Sequence, residues 1–222
     1  MCGRYGFVPP ADFKDRFELE NELDDMRARY NVAPGSIMPI ITRNSPNIVE
    51  LMKWGLIPFW SKDPRMAYST INARSETVET SPAYRKPFKS QRCLVPVSFF
   101  YEWKKTDAKN KTPYLFKLKN DEVFSFAGLY DIWRDAEDKE FKTYTIITTT
   151  PNKLMESVHN RMPVILSKEE EAVWLNKDTD VKTLHSLLDP YEEKYMTDYI
   201  VSSDVNRPIN DNVQLINPVN PI

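Results

Sequence analysis

Four groups of side chains in this 222-residue chain have the types and spacing to do covalent chemistry on an electrophile. The first is Cys2, in the opening run Met1-Cys2-Gly3-Arg4-Tyr5. A small residue at position 2 commonly allows the initiator methionine to be trimmed, which leaves cysteine as the N-terminus. Its thiol and α-amine then sit on adjacent carbons, with reference pKa values near ~8.5 and ~7.7–8.0. Both nucleophiles are partly available at neutral pH. An aldehyde meeting the pair forms an imine with the amine, and the thiol then closes a five-membered thiazolidine that outlasts a simple imine. On its position alone, Cys2 is more plainly read as an incidental cysteine.

The second group is Phe99-Phe100-Tyr101-Glu102-Trp103. A strand alternates its faces, so Phe100 and Glu102 share one side and Phe99, Tyr101 and Trp103 the other. Desolvation among aromatics raises a carboxylate's pKa toward what a general acid needs. An edge-strand glutamate reaching solvent fits the same pattern equally well. The third is Ile71-Asn72-Ala73-Arg74-Ser75-Glu76, where Asn72 can donate and accept hydrogen bonds and Arg74 offers a planar fork suited to phosphate. Taken in isolation, the run reads more simply as a helix N-terminus with a surface arginine. The fourth is His159-Asn160-Arg161-Met162-Pro163, a histidine in a turn between a short helix and a strand; a structural histidine is the commoner case.

The elements that must position these groups are legible as patterns. Residues 12–30 read as a helix, with Phe13, Phe17, Leu23, Met26 and Tyr30 at three- and four-residue spacing or near it. Strands are expected at 37–42 and 48–56, then an irregular segment at 57–70 carrying Trp60 and Tyr68. Further strands follow at 92–97, 99–104, 113–119, 123–133 and 141–149. Ser167 and Glu170 fit a capping box ahead of Ala172, Val173 and Leu175. A second helix spans 181–188 with His185 on it, and a strand near 198–202 precedes a Pro/Asn-rich tail. Strands in the middle and helices at the ends predict an α+β fold: one domain over 1–222, with a mostly antiparallel curved sheet or open β-barrel-like core, flanking helices and a tail from about 207.

Composition narrows the function. Hydrophobic residues make up 41% and charged residues 28%, as in a soluble globular protein. No membrane span or signal peptide is evident, and two cysteines are too few for a disulfide framework, so a reducing cytoplasm is the expected compartment. Five glycines leave little room for a phosphate loop, and neither His159 nor His185 has a partner at zinc-ligand spacing; no metal or cofactor is expected. The net charge of −2 argues against nucleic acid, yet residues 53–105 hold ten basic and four acidic side chains, +6 against −8 for the remainder. That excess suits a phosphate-binding face, and an ordinary solvated face with mixed charges explains it as well.

These motifs, in this order, resemble the SRAP family, named for SOS-response-associated peptidases and better described as abasic-site processing proteins. Tyr30-Asn31-Val32-Ala33-Pro34-Gly35, Trp54-Gly55-Leu56-Ile57-Pro58 and Arg92-Cys93-Leu94-Val95-Pro96 complete the match from residue 1 to about 206. The resemblance implies that Cys2, freed of Met1, forms a thiazolidine crosslink with the aldehyde of an abasic site in single-stranded DNA. It implies that Asn72 orients Cys2 and the opened sugar, Glu102 is the acid/base group, and His159 steadies the opened site and takes part in imine steps or reversal. Arg74 and Arg4 would hold the DNA backbone, and Trp103 and Pro34 would pack against flanking bases. Weak lyase activity and a cysteine-type peptidase activity also follow from the resemblance, and a monomer is expected. Phe99 stands where the family commonly has glycine, which predicts a locally altered groove. The competing readings are a cysteine (auto)peptidase using Cys2 and a non-covalent reader of damaged or modified DNA.

Overall fold

The structure is a computed structural model and describes residues 2–24, 26–105, 107 and 110–219. The Met1 end of the opening motif and the tail beyond 219 therefore lie outside the described residues. The fold is α+β and dominated by strands. One sheet joins β1 (Tyr5–Phe7), β2 (Arg29–Val32), β7 (Phe99–Lys105), β8 (Lys111–Leu118) and β13 (Met196–Ile200), in the order β13-β8-β7-β1-β2. The other runs β11 (Met162–Pro163), β10 (Glu140–Thr149), β4 (Ser45–Trp54), β3 (Ile37–Thr42), β6 (Arg92–Val97), β9 (Phe124–Arg134) and β12 (Ile165–Leu166), with β5 (Asn72–Arg74) added beside β10. Pairing is antiparallel except where β10 runs parallel to β4 and β5.

The main apolar core lies between the sheets and includes Phe100, Phe116 and Phe126, each fully buried. A second cluster on the other face of β7 gathers Phe99, Tyr101, Leu115, Val201, Val205 and Leu215. Gly55 needs its lack of a side chain, because its φ is +117° and a Cβ there would lie 2.7 Å from the Ala67 carbonyl oxygen. The described part of the tail is no loose appendage. Asp211 accepts from Arg29 Nε and from the Tyr30 and Asn31 amides, and Leu215 is buried.

The helices are α1 (Phe13–Arg16), α2 (Arg85–Ser90), α3 (Lys168–Leu175) and α4 (Val181–Ser186) among the described residues. The capping box at Ser167 and Glu170 forms in both directions and starts α3. None of these helices is long and apolar enough to cross a membrane. The helix expected over 12–30 is corrected: only α1 forms. Glu18 takes φ +51°, and Asp12 makes no side-chain cap. Beyond it the chain finds partners on β4 instead, with Glu20 N–H donating to Asn47 O and Asn21 bonding both backbone groups of Val49. Tyr30 then enters β2 against β1. Helical spacing of apolar residues was satisfied by long-range edge bonds, since Phe13 and Phe17 reach the core without a continuous helix.

Candidate functional site

β7 builds the floor of the site. Its alternation sends Phe100 into the main core, stacked on Phe116 at 5.3 Å, and Glu102 follows on the same face. Glu102 is 2% exposed, and burial pushes its carboxyl up to about 8, with a backbone hydrogen bond at Trp103 and the Lys111 charge opposing the rise. The edge-solvent alternative is thereby excluded. Burial thus favours the protonated form of the carboxyl near neutral pH.

β1 delivers the N-terminal residues to that carboxyl. It pairs antiparallel with β7 through Tyr5↔Phe100 and Gly6↔Phe99, and the Tyr101 amide donates to Arg4 O at 3.0 Å. Continuing that register backward carries residues 4 to 2 alongside 101 to 103. Cys2 is fully buried, its sulfur 3.9 Å from the Arg4 carbonyl oxygen. Burial first, and the nearby Glu102 charge second, hold its thiol well above the ordinary range.

The run at 71–76 is a strand start, not a helix N-terminus. β5 lies parallel to β10, with Asn72 opposite Ile146 and Arg74 opposite Thr148. Asn72 is 8% exposed, its Nδ2 donates to Ile146 O at 3.5 Å, and its Oδ1 is buried without a hydrogen-bond partner among the described residues. A buried acceptor without a partner costs roughly 1–3 kcal/mol, so Oδ1 is open to a further donor. Arg74 faces solvent at the end of the same strand.

His159 completes the site from the loop before β11. The Arg161 amide donates to His159 Nδ1 at 3.1 Å, and burial lowers the ring's pKa from its ordinary 6.5. Glu102, Trp103, Lys104, Lys105, Lys111, His159 and Asn160 line one open cleft of about 570 Å³. Trp103 is half-buried at its edge, with Nε1 donating to Asn206 Oδ1 at 2.7 Å.

Other expected residues are placed elsewhere. Pro34 is exposed on a different groove, beside Trp54, Tyr68, Trp133 and Phe141. Arg4 spends Nη1 on Asn31 Oδ1 at 2.9 Å and Val205 O at 3.1 Å, bonds that tie β1 to the C-terminal segment. Phe99 does not line the Glu102 cleft. Its ring is 5% exposed in the second cluster, over Gly6, where a Cβ would come within 2.0 Å of it. Phe99 lines a separate groove instead, with Val8, Ser98, Lys117 and Tyr199. His185 sits on α4 and meets Glu79 at 2.9 Å.

The basic stretch 53–105 does not form one face. Arg92 is 1% exposed, its guanidinium donating to the carbonyls of Phe88, Lys89, Trp174 and Asn176. Lys86 lies over the Phe59 ring, and Arg65 pairs with Asp63. Lys104 and Lys105 do line the cleft, joined by Lys111 from the facing strand. Lys111 escapes a sequence reading that begins this strand at 113. Extending the hairpin register from Lys105 would have found it, as the two residues are paired.

Comparisons agree with this architecture. Residues 1–208 match the family model described as SOS response associated peptidase (SRAP). The chain is 47% identical over 221 residues, 97% of its length and 99% of the relative's, to the abasic site processing protein YoqW of Bacillus subtilis. It is 44% identical over 225 residues, covering 99% of both, to the abasic site processing protein YoaM of the same organism. A crystal structure of a protein from Bacteroides thetaiotaomicron superposes with a TM-score of 0.90 at 30% identity, over 99% of this chain and 100% of that one.

Proposed function

Since the chain belongs to the SOS response associated peptidase family, we propose that it processes abasic sites in single-stranded DNA by forming a covalent thiazolidine crosslink through Cys2 after removal of Met1. The observation that carries this reading is the placement of fully buried Cys2 within electrostatic reach of a protonated, buried Glu102, beside a cleft lined by lysines and His159. The relatives' names record abasic-site processing, and the chemistry of an N-terminal aminothiol suits that substrate's aldehyde.

In this reading Glu102 protonates the ring oxygen as the sugar opens to its aldehyde. The Cys2 amine adds to C1, and water leaves to give the imine. The sulfur then bonds to the same carbon while the thiol proton ends on the nitrogen, closing the ring. Asn72 Oδ1 accepts from the reacting amine, and His159 donates to the opened sugar or its phosphate. Arg74 and the cleft lysines hold the backbone, and Trp103 stacks on a flanking base. Converting the aldehyde to the thiazolidine leaves the α-proton in place but removes its acidity, which protects the strand from β-elimination. Diversion of the imine to elimination gives a weak lyase side reaction. In this reading the working state is a monomer.

The peptidase reading is weaker on physical grounds. A cysteine that attacks an amide works as a thiolate, usually generated by a basic neighbour, whereas burial and Glu102 both hold the Cys2 thiol neutral. Incubation of the protein with an abasic oligonucleotide tests the proposal. A heat-stable adduct on a denaturing gel is expected with the wild type and none with Cys2→Ala. Retention of Met1 also abolishes it, because the amine is then blocked. An undiminished adduct with Cys2→Ala overturns the mechanism, and reversible binding alone favours the non-covalent reader.

A further inference from the structure

Arg161 is the last residue before β11, and its side chain is 14% exposed. Its two terminal nitrogens meet the two carboxylate oxygens of Glu76, with Nη2 3.0 Å from Oε2, a bidentate geometry. Nη2 also donates to Thr148 O at 2.5 Å, the oxygen that accepts the Ser75 amide at 2.9 Å. One ion pair thus closes a triangle between the turn after β5, the end of β10 and the loop that carries His159.

The consequence reaches the imidazole through the backbone of Arg161. His159 Nδ1 lies 3.1 Å from the Arg161 amide nitrogen and 3.2 Å from its carbonyl oxygen. A backbone N–H can only donate, so Nδ1 is the acceptor, and in the neutral ring the proton resides on Nε2. If Arg161 shifted by about an ångström, Nδ1 could instead donate to the carbonyl, and the tautomer would invert.

We propose that Glu76 is a positioning residue for this cleft: by clamping Arg161, it fixes the His159 ring and keeps its proton on Nε2. An exposed ion pair would contribute little, about 0–1 kcal/mol. This one is lopsided, because Glu76 is 49% exposed and reaches inward to a largely buried guanidinium. Removing the carboxylate leaves a poorly hydrated cation that relaxes toward solvent, and its backbone follows. The catalytic consequence rests on the crosslinking function proposed above, while the tautomer does not.

The test therefore has two arms, run on the full chain as wild type, Glu76→Ala and Glu76→Gln. Nitrogen NMR of the imidazole in the free protein should show one tautomer, Nε2–H, in the wild type and a mixture in both variants. Single-turnover crosslinking to an abasic oligonucleotide should slow by roughly tenfold or more, as expected for a misplaced catalytic group. Affinity for the same strand without a lesion should stay within about twofold, since the proposed role of Glu76 runs through the His159 ring rather than through strand capture. An unchanged tautomer in both variants overturns the proposal. So does several-fold tighter binding of undamaged DNA with the tautomer intact, which would make Glu76 a mask over Arg161. Should the wild type form no adduct, the crosslinking reading falls and the NMR arm still decides the role of Glu76.

Discussion

The floor and the lip of the cleft are built by the same hairpin, β7 and β8, yet they hold opposite kinds of residue. On the floor, Glu102 is 2% exposed with its carboxyl at about 8, and Cys2, which the pairing of β1 with β7 brings near it, is fully buried with its thiol well above the ordinary range. At the lip, Lys104, Lys105 and Lys111 reach the open volume and Trp103 is half-buried. Alternation puts Trp103 and Lys105 on the opposite side from Glu102, and Lys104, on the same side as Glu102, differs from it because burial falls away toward the end of β7. Each region therefore suits a different task. Proton transfer needs exclusion of water, which magnifies each neighbour's effect, whereas capture of a charged strand needs exposed cations that water and salt can screen.

The largest effect separating the two regions is expected from Glu102→Gln. It keeps the shape of the floor and removes the acid, and should lower the crosslinking rate about 10²–10⁴-fold in single-turnover assays while leaving affinity for undamaged strand nearly unchanged. A rate within a few-fold of the wild type would mean that the floor only packs. A second effect is on stability. Glu102 is raised from its ordinary 4.5 to about 8, so between those values the folded protein holds a proton that the unfolded chain releases. Stability from this group is complete below the lower value and is lost as pH rises through the higher one. Denaturant midpoints taken from about pH 5 to about pH 9 should fall in the wild type and flatten in Glu102→Gln, the gap reaching several kcal/mol at the alkaline end. A parallel fall in both proteins would contradict the buried-acid reading.

The smallest effect belongs to the lip. Lys104→Ala, Lys105→Ala and Lys111→Ala should each weaken strand binding modestly and reduce the slope of log affinity against log salt by about 0.7 for each phosphate left unneutralised. The rate from the bound state should not move. A change in that rate without a change in salt slope would place the lysine in the chemistry and erase the distinction between floor and lip.

Much of the framework is legible in local patterns, for identifiable reasons. The alternation in Phe99–Lys105 and the reciprocal cap of Ser167 and Glu170 have local causes, and they appear in the structure where the residues suggest. The helix expected over 12–30 fails because its competitor is not local: the backbone of Glu20 and the side chain of Asn21 bond to β4. Asn72 and Arg74 resemble a helix start for the same reason, since only pairing with β10 makes them a strand. Lys111 and the Glu76–Arg161 clamp stay out of view because each depends on a contact across strands or loops distant in the chain.

The candidate inventory is fixed by residue order: a cysteine at position 2, a carboxyl between aromatics, an amide and an arginine in one short run, and a histidine in a turn. So is the face each strand residue takes, because the two-residue period is a property of the backbone. Folding in three dimensions was needed to bring Cys2 beside Glu102, to leave Asn72 Oδ1 without a donor among the described residues, and to add Lys111 to the cleft. Acidity and hydrogen bonding depend on distance through space and on how much water remains. Those quantities are set when β1 pairs with β7 and β5 with β10, contacts that join residues far apart in the chain.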